Sequence, residues 1–393
     1  MHSTWSNAAD KKQFAGVLAF DLSSAFDCID IEIICNKLKI YGFDTISINW
    51  IKSYLTERSQ FVQIGGEVST TLIVVIGSPQ GSVISPVQFI IYISDIDDWT
   101  VHSIMNGFAD DYTATVVDES LESMKAKLEI DSTNILTFMA TNLLIANSSK
   151  TTFMIFSKSG RKLEQGQTIQ VGSSKIKELD EQKLLGMYIT PDLKWTTHIS
   201  HLVEKLRHRL YLLRHISYLI PRSALKLVAD GIVTTHIQYG LSLFGRFKLS
   251  ETDPSCKEIS ILQVLHNQMV RIIYQLNIKD KVNMKTVRAN NNIPSVNQLT
   301  GQAIAMELRK AQLHDTLPLA YDLILKNNVP DHRTRSCSQG LLRPPRHRLH
   351  STSSSFPSQA SSIWNKLPEY IRISTTDASF KKHLRKWLRS NIP

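Results

Sequence analysis

Cysteine is scarce in this chain. Four cysteines stand at positions 28, 35, 256 and 337. None forms a Cys-x-x-Cys pair, so the sequence holds neither a zinc module nor a disulfide framework, and reduced thiols are expected. Long apolar runs are missing as well. Leu72–Ile76 is among the most apolar stretches and is strand-sized, whereas a bilayer needs about 20 such residues. The first residues, MHSTWSNAADKKQF, lack the apolar stretch of a signal peptide. A soluble intracellular protein of cytoplasm and nucleus is therefore expected, without a clear targeting signal. No internal repeat is evident.

What is present is ordinary globular material, apart from its charge. The 393 residues are 42% hydrophobic and 20% charged, enough for a large core and two or three structural units. Net charge is +10, and its location is informative. Residues 331–393 carry twelve Lys/Arg against three Asp/Glu, so nearly all the excess is C-terminal. That bias suits a polyanionic partner, and suits a solvated basic tail equally well.

Residues 14–22, FAGVLAFDL, read as a buried strand followed by a helix to about Lys39, and Ile46–Leu55 is helical. Gln60–Ile64 and Thr70–Ile76 form β-rich runs joined by a turn at Gly65 and Gly66. The breaker GSPQGS (77–82) precedes an apolar segment of helical spacing to Ile96. Ser103–Ala109 and Thr113–Val117 suggest a hairpin whose bend carries Asp110 and Asp111. A helix over Glu119–Thr141 follows, then short strands at 151–156, 168–171 and 183–189. Long amphipathic helices dominate from about 196 to 326. Residues 331–362 read as an Arg-, Pro- and Ser-rich linker, and a last helix covers about 376–390. The expected fold class is α+β: an antiparallel palm-like sheet with packed helices over 1–192, a helical region over 193–330, and a basic linker with a C-terminal helix over 331–393.

Asp110 and Asp111 lie between apolar residues in GFADDYTATV. Neighbours on a regular strand point to opposite faces, so both can serve one site only where the backbone bends. Asp21 ends the apolar strand VLAF. Three carboxylates meeting at one end of a sheet would repel one another unless a divalent cation were bound. On spacing alone, an Ala-Asp-Asp turn is more often a solvated loop.

Six blocks in fixed order resolve that ambiguity. AFDLSSAFDCID (19–30), IGSPQGSVISP (76–86), FADDYT (108–113), NLLIANSSKTTFMIF (142–156), KLLGMYITPDLKW (183–195) and FPSQASSIWNKLPEYIRISTTDASFKKHL (356–384) together resemble a non-LTR (LINE-type, jockey-like) retrotransposon reverse transcriptase. The resemblance implies palm, thumb and a C-terminal tract, and an RNA-directed DNA polymerase with two Mg²⁺ ions, Mn²⁺ being a substitute. Asp21, Asp110 and Asp111 resemble its metal-binding and catalytic carboxylates. Lys150 resembles the lysine that protonates the leaving pyrophosphate. Phe26 matches the aromatic that closes the sugar pocket against a 2′-hydroxyl, which disfavours a ribonucleotide polymerase. Pro79, Gln80 and Gly81 match the block contacting the incoming nucleotide and template, and Gly186 the turn that holds the primer strand. The implied partners are an RNA template, a DNA primer, deoxynucleoside triphosphates and a genomic DNA target, with no membrane.

The departures are Ser24, where the family often has Lys, and Ser85, where it often has Gly. Asp21 lies so near Met1 that the fingers region has almost no sequence. No endonuclease, RNase H or Cys/His knuckle pattern is present, so an internal piece of a longer polyprotein is expected. The alternative is a catalytically silent relic that only binds nucleic acid. His198–Lys226 carries six Lys/Arg against one Glu at helical spacing. Lys205, Arg207, Arg209 and Arg214 there could follow a template–primer backbone or simply wet a helix face. His198 and His201 are three apart but have no third ligand nearby. The run RPPRHRLH (343–350) suits RNA or a flexible linker, and Trp364 and Trp387 read as packing residues.

Overall fold

The computed structural model describes residues 1–23, 25–147, 150–157, 166–248, 257–277, 279–313, 341–342 and 355–392. The chain divides into two compact units, one of Met1 with Lys11–Leu185 and one of His2–Asp10 with Gly186–Pro393. The first helix, α1 (His2–Asp10), thus belongs to the second unit.

The first unit is built on strand β1 (Phe14–Ser23). Its unbroken apolar sequence fits a strand covered on both faces, and Ala15, Val17 and Leu18 are fully buried. A short 3₁₀ turn, Ala25–Cys28, leads into α2 (Ile31–Ile40) and α3 (Thr45–Leu55). Asp30 and Asp44 accept backbone N–H bonds at the starts of these two helices. The β-rich stretch that follows nests two ribbons. Strand β2 (Arg58–Gln60) pairs with β5 (Leu72–Val74), while β3 (Gln63–Ile64) and β4 (Glu67–Val68) close around Gly65 and Gly66. Helix α4 (Ser85–Ile93) runs into a 3₁₀ segment, Ser94–Trp99. The hairpin β6 (Ile104–Phe108) and β7 (Asp111–Asp118) comes next, then α5 (Leu121–Thr141), capped by Ser120.

Strand β7 lies antiparallel on one side of β1, with β6 outside it. On the other side β1 pairs with β9 (Thr152–Phe156) and, at its C-terminal end, with β8 (Ile145–Ala146). Leu18, Phe20 and Leu22 point into a core shared with Ile34 and Leu38 of α2, Phe89 of α4 and Phe138 of α5. Helix α5 crosses this face so closely that a Cβ on Gly16 would sit 2.0 Å from Met124 Sδ. Under α2, the buried Lys37 ammonium donates to the Tyr92 carbonyl and to Asp95. Its pKa is lowered by burial, against the pull of Asp95. Strands β10 (Thr168–Val171), β11 (Ser174–Lys177) and β12 (Gln182–Leu184) complete the unit. The single strand expected over 183–189 is two short ones, because Leu185 and Gly186 both adopt positive φ and interrupt the extended backbone.

The second unit holds β13 (Met187–Ile189) and α6 (Thr196–Ile216). A continuous helical path follows: α7 (Arg222–Ala229), a π-helical turn Asp230–Thr234, and α8 (Thr235–Gln238). Gly240, at φ +69°, ends this path and starts α9 (Leu241–Phe244). Helices α10 (Lys257–Ile273), α11 (Met284–Asn290) and α12 (Val296–Leu313) come next. A first core joins Leu206, Leu213, Val233, Leu262 and Met269. A second joins α12 to the C-terminal helices α13 (Phe356–Lys366), α14 (Glu369–Arg372) and α15 (Asp377–Asn391) through Leu308, Ile363, Trp364, Phe380 and Leu384. Helix α13 occupies the end of the expected linker. Phe356, Ala360, Ile363 and Trp364 recur at helical spacing and bury one face, within a composition that reads as loop. Helical sequence expected at 314–326, and most of the linker, lie outside the described residues. Among the described residues no helix is long and apolar enough to cross a membrane.

Candidate active site

The β1–β7 register decides where the acidic residues go. Asp21 is the direct cross-strand partner of Asp111, and Phe20 of Tyr112. Residues directly opposite on an antiparallel pair share a face, so two carboxylates 90 positions apart stand side by side at one end of the sheet. Phe108 pairs with Asp111, leaving Ala109 and Asp110 as the two-residue turn of the β6–β7 hairpin. Ala109 takes φ +53°, a conformation that favours glycine and costs an alanine about 1–2 kcal/mol. That bend takes Asp110 out of the strict alternation of a strand.

Electrostatics register the crowding. The Asp111 carboxyl is raised above the ordinary value, first by partial desolvation and then by the charges of Asp110 and Asp21. Lys150, which follows β8, places its ammonium 3.0 Å from Asp21 Oδ2. The chain at β8 is tied down by the Asn147 N–H donating to the Asp21 carbonyl. The Lys150 side chain remains 63% exposed, so this pair is a solvated contact rather than a buried lock. Among the described residues, no three His, Cys, Asp or Glu side chains are already grouped as a metal cage.

A second cluster grows directly from the end of β1. The 3₁₀ turn carries Phe26, whose ring packs on Phe89 at a centroid distance of 5.0 Å. The loop before α4 docks on this turn: the Gly77 N–H donates to the Ile29 carbonyl and the Ser78 N–H to the Phe26 carbonyl. The Gln80 amide donates to Asp27 Oδ1 at 3.0 Å. Gly77 needs to be glycine, since its φ is +84° and a Cβ would lie 2.9 Å from the Asp27 Cα. Pro79 is half-buried, whereas Gln80 and Gly81 are exposed. Ser85 has a local role: its hydroxyl donates to the Pro79 carbonyl and contacts the buried Ser78 hydroxyl, stitching loop to helix. Ser24 lies outside the described residues.

Sequence reasoning missed two supports of this region. Asp131 of α5 is fully buried and accepts the backbone N–H groups of Val101, His102 and Ser103, which enter β6. Burial pushes its carboxyl up, but the three bonds prevail and hold it below the usual value. Arg58 donates to the Ile76 and Gly77 carbonyls and so fixes the docked loop from its other side. Neither had a sequence signal, because each partner is a backbone group remote in the chain.

The remaining predicted residues belong to the second unit. Gly186, at φ +78°, starts the path into β13. On α6, Lys205, Arg207 and Arg214 are exposed. Arg209 is half-buried and donates to the Ile232 carbonyl, a structural bond within the helical unit. His198 is buried against Trp195 and Phe244, and its ring nitrogen accepts from the Tyr188 N–H. Burial, and secondarily His201, lowers its pKa to about 4. Trp364 stacks on Phe380. The 343–350 run lies outside the described residues.

Residues 1–189 match the family model described as reverse transcriptase (RNA-dependent DNA polymerase). These residues belong to the reverse transcriptase family. The chain's curated relatives give the branch, that of non-LTR retrotransposons. One is the "Probable RNA-directed DNA polymerase from transposon X-element" of Drosophila melanogaster, 23% identical over 280 residues, covering 68% of this chain and 29% of that protein. Another is the "Probable RNA-directed DNA polymerase from transposon BS" of the same fly, 22% identical over 282 residues, covering 68% and 30%. The chain thus spans less than a third of the length of these relatives. Among solved structures it is similar to apo telomerase from Candida tropicalis, with TM-score 0.39, 12% identity and coverage of 80% of this chain and 54% of that one. Telomerase from Candida albicans in complex with a telomeric RNA fragment gives TM-score 0.32 and 12% identity, with coverage of 85% and 55%. The described residues have the expected α+β class, an antiparallel sheet with packed helices followed in sequence by a helical unit.

Proposed function

We propose that this chain is the polymerase portion of a non-LTR retrotransposon protein and extends a DNA primer on an RNA template. The observation that supports this most is the cross-strand pairing of Asp21 with Asp111, with Asp110 in the adjoining turn and Lys150 on Asp21. In the reaction, the primer 3′-hydroxyl oxygen forms a bond to the α-phosphorus of a deoxynucleoside triphosphate. The bond from that phosphorus to the β-phosphate bridging oxygen breaks, and pyrophosphate leaves.

Asp21, Asp110 and Asp111 would supply an all-oxygen, hard donor set that suits Mg²⁺, with Mn²⁺ as substitute. Burial first, and then the charges of Asp110 and Asp21, raise the Asp111 carboxyl, and a bound cation would offset those charges. When bound, two such ions polarise the attacking and leaving oxygens and offset the charge that builds on them. Lys150, exposed at the carboxylate end of the sheet, donates a proton to the departing pyrophosphate. Phe26 lies against the sugar and excludes a 2′-hydroxyl, while Pro79, Gln80 and Gly81 shape the nucleotide side. Gly186 with Lys205, Arg207 and Arg214 tracks the template–primer backbone by phosphate contact. Genomic DNA supplies the target and primer, so the work belongs to cytoplasm and nucleus.

The test is primer extension on an RNA template. Extension should require Mg²⁺ and vanish in Asp110→Asn, while salt-sensitive RNA binding persists. If Asp110→Asn extends as well as wild type, the site assignment is wrong. Salt-sensitive binding by the wild-type chain with no extension would identify a relic instead.

A further inference from the structure

A cavity of about 400 Å³ opens in the second unit between the α7–α8 path, the start of α12 and helix α15. This volume is in the range of small-molecule sites. The π-helical turn Asp230–Thr234 forms part of its wall. Such turns widen a helix locally and recur at functional sites. Ile293, Leu299 and Leu388, all buried, supply an apolar floor.

Its charge is one-sided. Lys226, Arg385 and Arg389 line it against a single acid, Asp230, whose carboxylate already accepts from the Thr234 hydroxyl. Among the described residues, none of the three cations makes an ion pair. The two arginines, one turn apart on α15, are each anchored by a neutral amide. Arg389 donates through both terminal nitrogens to the side chain and carbonyl of Asn292. Arg385 donates through Nε to Gln302 Oε1. A guanidinium has five N–H donors, so each is held in place with donors to spare. Two pre-positioned guanidinia suit the tetrahedral oxygens of a phosphate group, and the floor suits a ribose or base.

We propose that this cavity binds a phosphorylated nucleoside unit, presented either by a free nucleotide or by a single-stranded nucleic-acid chain, and that Lys226, Arg385 and Arg389 hold its phosphate. The site involves none of the residues assigned to polymerisation.

The test uses the full chain and a fluorescent single-stranded RNA of about ten nucleotides, within the usual span of single-strand binding sites. Binding is read without Mg²⁺ or deoxynucleotides. The double variant Arg385→Gln/Arg389→Gln should weaken binding about ten- to a hundredfold, as expected for losing two charge-assisted contacts. It should also flatten the logarithmic salt dependence by about 0.7, the value for one single-strand phosphate. The matching control, Lys381→Gln/Lys382→Gln, removes the same charge from exposed positions of α15 outside the cavity. It should leave affinity within about threefold, each loss being that of an exposed, screened charge. A mononucleotide that competes with the RNA and raises the thermal midpoint identifies free nucleotide as the source; inability to compete identifies the chain backbone. Equal weakening by the control pair, or no weakening by the arginine pair, overturns the proposal. Asp110→Asn should bind as wild type, so loss of polymerase activity and loss of this site are told apart.

Discussion

Gly77→Ala separates the nucleotide-side loop from the fold that carries it. Glycine at φ +84° becomes an alanine in a left-handed conformation, at a cost of about 1–2 kcal/mol. The new Cβ meets the Cα, O and C atoms of Asp27 at 2.9–3.1 Å. All three are backbone, so no side chain can swing aside, and overpacking of this sort costs about 1–3 kcal/mol. Holding the loop down are the Gly77 and Ser78 N–H bonds to the turn, each worth about 1 kcal/mol net. Strain of about 2–5 kcal/mol is comparable with these bonds together with those from Gln80 and Arg58, so the loop shifts against the turn while the β1 sheet stays intact. Single-nucleotide primer extension should show the KM for deoxynucleotide raised at least about tenfold, since 1.4 kcal/mol is tenfold in affinity. Selection against ribonucleotides should fall, and circular dichroism should match the parent. Gly81→Ala is the graded comparison: φ is +80° but a Cβ there meets nothing within 4 Å, so only the conformational cost applies. An unchanged KM in Gly77→Ala, or a larger effect at Gly81, would refute this reasoning.

Two further expectations follow from buried polar groups. Asp131→Asn replaces an acceptor of three backbone N–H bonds by an amide that can satisfy fewer. It should cost about 2–4 kcal/mol of urea stability and speed hydrogen exchange at Val101–Ser103; unaltered exchange would remove Asp131 as the support of the hairpin. His266, fully buried with neither ring nitrogen partnered among the described residues, has its pKa lowered to about 4 by burial and secondarily by Arg288. The unfolded chain binds a proton below about 6.5 that the folded chain refuses. Stability is thus complete above that pH and declines as pH falls toward 4, by up to about 3 kcal/mol. His266→Leu should flatten the acid limb of thermal midpoint against pH, and an unchanged limb would contradict this assignment.

How much could be read beforehand depended on whether a feature is local. The apolar run FAGVLAFDL, the β-rich stretches on either side of Asp110 and the helical stretch before Asn142 are each local signals, so strand, hairpin and helix were legible. The acid pair was legible as a bend, and Asp21 as a strand end, but only the register of β1 on β7 makes them neighbours. Asp131 and Arg58 act on backbone groups of distant segments, which leave no trace in side-chain pattern. The turn at Gly65 and Gly66 was legible, whereas the two-residue strand β4 beyond it and helix α13 were hidden by short length and by serine-rich composition. The cavity wall at Asp230–Thr234 depends on one extra residue in a helical turn, a change periodicity does not resolve.

The joint action of the distant acids is best tested by a kinetic cycle. Single-turnover extension would be measured for wild type, Asp21→Asn, Asp110→Asn and the double variant, each bound to the same RNA–DNA template–primer. Groups that serve one cation site fail together, so each single variant should lose more than about a hundredfold in rate, and the double variant should be no slower than the worse single one. Losses that multiply in the double variant, or a single variant that retains wild-type rate, would contradict the shared site.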